Sequence, residues 1–304
     1  MQGKILIINP GSTSTKISVY EDTQEGFTKT LRHSNEELAP YKNVIDQLDF
    51  RKETIKAALV ENNVDLKSLS IIVGRGGLVK PIPSGVYEVN QDMRDALKAG
   101  REGVHACNLS ALLADDIAVM VNEAREAASM TEKCRAFIAD PPMADEMLPE
   151  VKIGGLPEFP RRTLFHALNS RAMVRRYARS VGKTNKDVTV IVAHMGGGSS
   201  VSLHRNGLVI DTNDALGGDG PISPERAGSV PGFPLVDMCF SGEYTKAEIK
   251  KKLVGKGGAV AYFVGNSSKD KAINDARRDR GTLIASGLIA GGALFGVFAA
   301  ITKF

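Results

Sequence analysis

The chain has 304 residues, of which 24% are charged, and its formal net charge is +4. This length is enough for two domains, and the charge balance excludes a basic nucleic-acid arm and an acidic tail. The three cysteines, Cys107, Cys134 and Cys239, are too widely spaced for a disulfide framework or a zinc site. We expect each of them to be a small core residue of a cytoplasmic protein.

The first predicted element is a short strand that runs into a polar turn, in the sequence KILIINPGSTSTKISVYED. The apolar run from Ile5 to Ile8 predicts a buried strand, and Ile17 and Val19 alternate with polar residues as in a half-buried strand. A Walker phosphate loop is excluded, because no second glycine precedes Lys16 and no helix follows it. The turn instead offers amides and hydroxyls that suit phosphate oxygens, and an ordinary polar turn is the alternative.

Strands and helices are predicted to alternate along the next part of the chain. Residues 69–77 are predicted to form a strand that ends in a loop, and residues 108–128 an amphipathic helix. Residues 135–142 are predicted to form a strand that ends in Asp-Pro-Pro, and residues 164–181 a second helix. This mixture predicts an α/β fold.

A second strand–turn–strand unit follows at residues 188–211, in the sequence VTVIVAHMGGGSSVSLHRNGLVID. Its first apolar run meets His194 and three glycines, and the dipeptide Asn206-Gly207 predicts a hairpin turn before a further strand. Consecutive glycines let the backbone approach a ligand closely. Two such units indicate an internal duplication with a ligand between the halves.

Six segments together resemble the butyrate kinase branch of the acetate kinase family: INPGSTSTK, VGRGGLVKPIPSGVYEVNQDM, ADPPMADEM, FHALNSRA, AHMGGGSSVS and SPERAGSVP. The resemblance implies the duplicated α/β fold of the actin-like ATPases, with two domains around a nucleotide cleft. The expected first domain, residues 1–145, carries the first phosphate loop and the carboxylate site. The expected second domain, residues 146–304, carries the second phosphate loop and is incomplete at its C-terminal end.

The resemblance implies transfer of a phosphoryl group from ATP to a carboxylate, which gives an acyl phosphate and ADP, or the reverse reaction. A carboxylate is already ionised at neutral pH, so the reaction needs cations and hydrogen-bond donors rather than a general base. The implied substrate is butyrate or a branched short-chain acid, and the implied cofactors are ATP or ADP and Mg²⁺. The alternatives are an acetate or propionate kinase, and a truncated nucleotide-binding member with little turnover. The family also implies a homodimer or higher homo-oligomer, without a nucleic-acid or membrane partner.

Five residues match positions with catalytic or cleft roles in the family. Arg75 and Arg226 match the arginines that bind acyl or phosphoryl oxygens, for which a guanidinium is better suited than an ammonium group. His166 matches the histidine that donates to the transferring phosphoryl group, and His105 matches a further cleft histidine. Asp140 matches the aspartate that helps to place Mg²⁺ or orients an arginine. Surface arginines, a structural histidine and ordinary turn chemistry at the aspartate are the alternatives.

The two glycine-containing turns match the phosphate loops of the family. The first phosphate loop is expected to use Asn9, Gly11, Ser12, Ser14 and Lys16. The second is expected to use His194, Gly196, Gly197 and Gly198. A role for His194 as a support of the turn alone is the alternative.

The end of the chain departs from the family pattern. No residue from Gly281 to Thr302 is charged, and Arg277, Arg278 and Arg280 lie just before this segment. The family's loop that packs on the adenosine has no match here. Three interpretations remain: a membrane anchor, an altered or truncated family member whose end does not fold natively, and a short variant whose last helix is buried.

Overall fold

A computed structural model describes residues 3–217, 219–254, 257–259, 270 and 272–273. The chain divides into two compact units, Met1–Asp145 and Glu146–Phe304. The strands of the first unit are β1 (Lys4–Pro10), β2 (Ser14–Glu21), β3 (Gln24–Arg32), β4 (Leu69–Gly74), β5 (Val86–Glu88) and β6 (Arg135–Ala139). Its helices are α1 (Asn35–Leu38), α2 (Leu48–Glu61), α3 (Gln91–Ala99) and α4 (Leu109–Ala127).

The six strands of the first unit form one mixed sheet in the order β3-β2-β1-β4-β6-β5. Strands β1, β4 and β6 run parallel to one another, and their registers pair Ile8 with Gly74 and Gly74 with Ile138. Strand β2 is antiparallel to β1 and β3, and β5 is antiparallel to β6. The carboxyl ends of the three parallel strands therefore meet at one edge of the sheet, where α/β proteins bind ligands.

Helix α4 covers this sheet and packs against β4 and β6. Its first turn lies very close to the end of β4, because a Cβ on Gly74 would come 2.6 Å from the carbonyl oxygen of Ser110. The predicted strands at 69–77 and 135–142 and the predicted helix at 108–128 are confirmed. Strand β1 is also confirmed, but it is buried on one face only, and Ile7 on the other face is 37% exposed.

The second unit contains an antiparallel meander and three helices in its described residues. The strands are β7 (Thr189–Met195), β8 (Ser199–Arg205) and β9 (Leu208–Thr212), and the helices are α5 (Ala167–Ser180), α6 (Gly232–Phe240) and α7 (Lys246–Leu253). Asn206 and Gly207 both have positive φ, 54° and 81°, as the two-residue hairpin turn requires. The order β7-β8-β9 matches the antiparallel order of β1, β2 and β3 in the first unit, so both units contain the same strand pattern.

Two expectations for the second unit are wrong. Helix α5 begins at Ala167 and not at residue 164, because Leu164 instead forms an isolated bridge with Asp214. Cys107 and Cys134 are buried as expected, but Cys239 is exposed on α6, a helix without a buried residue.

No helix in the described part of the chain is long and apolar enough to cross a membrane. The uncharged segment from Gly281 to Thr302 lies outside the described residues.

Candidate active site

The turn between β1 and β2 is held from behind by a buried arginine. Arg51, on α2, is fully buried, and its Nη1 donates to the carbonyl oxygens of Gly11 at 2.9 Å and Ser14 at 3.0 Å. Its Nη2 donates to the carbonyl oxygen of Ser12 at 3.0 Å. The carbonyl groups of the turn therefore face the protein interior. The amides of Ser12 and Thr13 donate to no acceptor in the residues that the structure describes.

Arg51 is not among the residues predicted from the sequence, although the sequence carries a signal for it. On α2 the buried residues Arg51, Ile55, Ala58 and Leu59 have helical spacing, so the arginine occupies a position of the apolar face. An arginine at such a position needs several hydrogen-bond acceptors in the interior. Which acceptors it finds depends on contacts about 40 residues away in sequence, as with Gly11.

Asn9 and Lys16 lie beside the same turn. They are direct cross-strand partners of the β1–β2 pair, and both are exposed. Directly opposed residues of an antiparallel pair project from the same face of the sheet. The structure thus places the predicted side chains of the first phosphate loop together.

Arg75 and Asp140 lie at the carboxyl edge of the sheet, next to β1. Arg75 directly follows β4, and its amide donates to the carbonyl oxygen of Ile8 at 3.1 Å. Asp140 directly follows β6, is 6% exposed and has a φ of 39°. The two loops are in close contact, because a Cβ on Gly76 would lie 3.1 Å from the Cα of Pro141. The predicted residues Asn9, Arg75 and Asp140 therefore follow or end three adjoining parallel strands.

His105 is the N-cap residue of a short 3-10 helix, Ala106–Asn108, which directly precedes α4. Its Nδ1 accepts from the amide of Cys107 at 3.2 Å and lies 3.1 Å from the Cys107 Sγ. Burial raises the pKa of the Cys107 thiol to about 11, against the opposing effect of the Arg75 charge. A cavity of about 340 Å³ opens beside His105, with an apolar wall that includes Val104 and Leu97. Lys42 and Lys98 also line this cavity.

In the second unit, two predicted histidines form a stacked pair. The ring centroids of His166 and His194 are 3.7 Å apart, and the ring planes differ by 11°. Each ring is held through Nδ1: His166 lies 2.9 Å from the Ser200 hydroxyl and His194 lies 2.7 Å from Nδ2 of Asn169. The elements that bring them together are the N-terminus of α5 and strand β7.

The glycine turn after β7 packs against the loop that carries Arg226. The Gly197 carbonyl oxygen accepts from the Ser223 hydroxyl at 2.7 Å and from the Glu225 amide at 3.2 Å. A side chain on Gly198 would overlap the Arg226 guanidinium, which explains a glycine there. The same guanidinium donates to the carbonyl oxygen of Ala215.

Arg226 is a half-buried cation with carboxylates nearby. Burial lowers the pKa of Arg226, while the charges of Glu225 and Asp214 oppose this effect. A guanidinium stays protonated at neutral pH even after such a shift. The second unit therefore brings His166, His194, the glycine turn and the half-buried Arg226 into one cluster.

Two supports of this cluster were not predicted from the sequence. Asn213 accepts from the Val201 amide at 2.8 Å and donates to the Ser199 carbonyl oxygen at 3.3 Å. Asp214 is 7% exposed and accepts from the amides of Leu216 at 2.9 Å and Gly217 at 2.6 Å. Polar residues that directly follow strand β9 are the signal that could have identified them.

The described residues contain no group of three or more histidine, cysteine or acidic side chains that could hold a metal ion. Asp140, which directly follows β6 and is 6% exposed, places a carboxylate at the carboxyl edge of the first sheet. One carboxylate fits Mg²⁺, because this ion keeps several waters and takes its other ligands from substrate phosphates. The donor set therefore suits a metal that arrives with a nucleotide rather than a permanent site.

Comparison with known proteins decides the family. A sequence model described as the acetokinase family matches residues 159–285. Butyrate kinase 1 of Clostridium acetobutylicum is 49% identical over 272 residues, which are 90% of this chain and 73% of that protein. Butyrate kinase 2 of the same organism is 48% identical over 270 residues, or 89% of this chain and 73% of that protein. The chain belongs to the acetokinase family.

Solved structures show the same fold. A propionate kinase from Francisella tularensis has a TM-score of 0.61 at 17% identity, over 99% of this chain and 81% of that one. The acetate kinase of Porphyromonas gingivalis has a TM-score of 0.59 at 18% identity, over 98% of this chain and 80% of that one. The predicted fold class, the actin-like ATPase fold of the acetate and propionate kinases, is confirmed. Family membership also confirms a carboxylate kinase, which forms an acyl phosphate from ATP with the help of a divalent metal.

Proposed function

We propose that the chain transfers the γ-phosphoryl group of ATP to butyrate or a branched short-chain acid, with Mg²⁺ as the metal. The two relatives described above are butyrate kinases, which supports this choice of acid. The observation that carries the proposed chemistry is the cluster of His166, His194 and Arg226 around the glycine turn after β7.

Two arginines are proposed to neutralise the transferring phosphoryl group. Its transition state is loose, with charge spread over three equatorial oxygens, so cationic donors held in place stabilise it strongly. The Arg226 guanidinium is held by the Ala215 carbonyl and the glycine turn, and the register of β1 and β4 places the backbone of Arg75 at the end of β4. His166, held by Ser200, is proposed to donate a hydrogen bond to the same group.

The phosphate chain of ATP is proposed to bind at the two turns. The donors in the first unit are the backbone amides of Ser12 and Thr13, the hydroxyls of Ser12 and Ser14, the side-chain amide of Asn9 and the Lys16 ammonium group. In the second unit, the backbone from Gly196 to Gly198 and the His194 ring take this role. Turns with several amides pointing outward bind anions well.

Asp140 is proposed to hold Mg²⁺, directly or through a water molecule. When bound, Mg²⁺ would neutralise phosphate oxygens and help to align the transferring group.

The acyl chain is proposed to occupy the cavity of about 340 Å³ beside His105. Its apolar wall suits a chain longer than that of acetate, and its lysines suit an anion.

The hydroxamate assay for acyl phosphates tests the proposed acid. The chain is incubated with ATP, Mg²⁺ and equal concentrations of butyrate, isobutyrate and acetate in separate reactions. We expect product with butyrate or isobutyrate at a higher kcat/KM than with acetate. A preference for acetate or propionate would favour the alternative enzyme, and ATP binding without product would favour a nucleotide-binding protein with little turnover.

Three expectations stay predictions: the division of roles between residues 1–145 and 146–304, the homo-oligomeric state and the cytoplasmic location.

A further inference from the structure

Arg51 lies directly behind the turn that is proposed to bind phosphate. Its guanidinium donates to carbonyl oxygens of Gly11, Ser12 and Ser14, to the Thr15 hydroxyl at 3.0 Å and to Oε1 of Gln47 at 2.8 Å. Every one of these acceptors is neutral. The side chain thus satisfies its hydrogen bonds without neutralising its charge.

The charge of Arg51 is not compensated nearby. No carboxylate forms an ion pair with it within the described parts of the chain. His33, whose Nε2 lies 2.9 Å from the Thr15 hydroxyl, is the titratable group beside it, and burial followed by the Arg51 charge lowers the His33 pKa. Burial also lowers the pKa of Arg51, to about 10, which leaves it charged at neutral pH. A buried cation without a counter-charge is costly unless a ligand supplies one.

We infer that Arg51 is a positioning residue for phosphate binding: it draws the carbonyls of the β1–β2 turn inward and keeps a positive charge behind its outward-facing amides. This inference rests on the proposed binding of ATP phosphates at that turn. The phosphate chain is the counter-charge that the buried guanidinium lacks in the protein alone. Arg51 touches neither reacting group, so it acts through the turn.

A second buried arginine of the same unit provides a structural comparison. Arg125, on α4, is 5% exposed and donates to the carbonyl oxygens of Lys67 at 3.0 Å and Glu132 at 3.1 Å. These acceptors precede β4 and β6, at the amino end of the parallel strands. Arg125 has the same kind of structural role as Arg51 but does not lie behind a proposed phosphate loop.

The most specific test variant leaves Arg51 unchanged. Gln47→Glu puts a carboxylate where the amide oxygen accepts from Nε at 3.1 Å and from Nη2 at 2.8 Å, so it keeps the hydrogen bonds and neutralises the charge. Gln24 is exposed at the start of β3. Gln24→Glu changes the net charge by the same amount as Gln47→Glu and is the matched control. Arg51→Lys keeps a charge with poorer geometry, and Arg125→Lys is its matched control.

The experiment measures binding of ATP, and separately of inorganic tripolyphosphate, by titration calorimetry on the full chain and each variant. Denaturant unfolding of the same proteins reports their stability. We expect Gln47→Glu to bind both probes about tenfold more weakly without loss of stability. We expect Gln24→Glu and Arg125→Lys to bind like the parent chain, and Arg51→Lys to bind more weakly than Arg125→Lys.

Unchanged binding in both Gln47→Glu and Arg51→Lys would overturn the inference and leave the proposed function intact if acyl phosphate still forms. Weaker binding in Gln24→Glu equal to that in Gln47→Glu would also overturn it, because net charge alone would then explain the effect. A parent chain that binds neither probe would overturn the proposed phosphate loop itself, and the inference with it. Normal ATP binding without acyl phosphate formation would count against the proposed function alone.

Discussion

At the scale of single residues, the candidate chemistry depends on arginines whose geometry is fixed by backbone contacts. The backbone of Arg75 is placed by the hydrogen bond from its amide to Ile8, and the Arg226 guanidinium is placed by the glycine turn and the Ala215 carbonyl. The Arg226 guanidinium is therefore held before charge develops in the transition state. Such preorganised cations cost no reorganisation when charge develops in the transition state.

We predict that Arg75→Ala or Arg226→Ala lowers kcat/KM for acyl phosphate formation by about 3 kcal/mol or more in transition-state stabilisation. Guanidinium in the buffer should restore part of the activity. Arg135→Ala is a suitable control, because Arg135 forms an exposed ion pair with Glu88 on the same sheet. Near-normal turnover in both Arg75→Ala and Arg226→Ala would show that these arginines are only structural.

At the scale of elements, the glycine turn after β7 is shaped by what packs on it. A methyl group at position 198 would overlap the Arg226 guanidinium, which would have to move. Because that guanidinium is the flexible end of a side chain, the cost should appear in catalysis rather than in folding.

We predict that Gly198→Ala lowers kcat nearly as much as Arg226→Ala and changes the free energy of unfolding by less than about 1 kcal/mol. Gly232→Ala is the control, since a Cβ there has no neighbour within 4 Å. Full activity in Gly198→Ala would mean that Arg226 tolerates another position and that the turn does not fix it.

Strand β8 carries a buried histidine that makes stability depend on pH. Burial lowers the pKa of His204 from 6.5 to about 4, and its Nε2 lies 3.0 Å from the Ser202 hydroxyl. The unfolded chain therefore takes up a proton at this residue at a higher pH than the folded chain does. The stability that neutral His204 contributes is present above about pH 6.5 and is lost as the pH falls through about 4.

We predict that the parent chain loses up to about 3 kcal/mol more unfolding free energy than His204→Gln between pH 7 and pH 4. Denaturant titrations of both proteins at each pH measure this difference. An equal loss in both proteins would show that His204 does not set the acid sensitivity.

The sequence predicted most of the elements and few of the contacts that hold the site. Strands β1, β4 and β7 and helix α4 were predicted because their apolar spacing is local. The start of α5 was misplaced because Leu164 pairs with Asp214, a contact that local periodicity does not reveal. Arg51 was missed for the same reason, since its acceptors at Gly11 and Ser14 are brought to it only by the folded sheet.

At the scale of the whole molecule, the chain spans 73% of the length of Butyrate kinase 1 and belongs to the same family. Each unit contains an antiparallel meander whose first turn contains glycine, and an arginine lies against each turn, the fully buried Arg51 in the first and the half-buried Arg226 in the second. The two arginines make different contacts, because Arg51 donates to carbonyl oxygens of its turn and Arg226 donates to the carbonyl oxygen of Ala215. The three interpretations of the segment from Gly281 to Thr302 concern residues outside the described part and stay open.

We predict that removal of divalent metal by EDTA abolishes acyl phosphate formation and that Mg²⁺ restores it. Asp140→Asn should raise the Mg²⁺ concentration that gives the half-maximal rate about tenfold or more. The reason is that the side chain proposed to hold Mg²⁺, directly or through a water molecule, loses its charge. Asp49→Asn, exposed on α2, is the control. An unchanged Mg²⁺ requirement in Asp140→Asn would remove this residue from the metal site.

The most direct measurement follows the γ-phosphoryl group itself. The chain is incubated with Mg²⁺ and ATP labelled with ³²P at the γ position, with and without butyrate, and the labelled products are separated. We expect the label to appear in butyryl phosphate, only when butyrate is present, and to be lost in Arg75→Ala and Arg226→Ala. Label released as inorganic phosphate at the same rate with or without the acid would contradict transfer to a carboxylate.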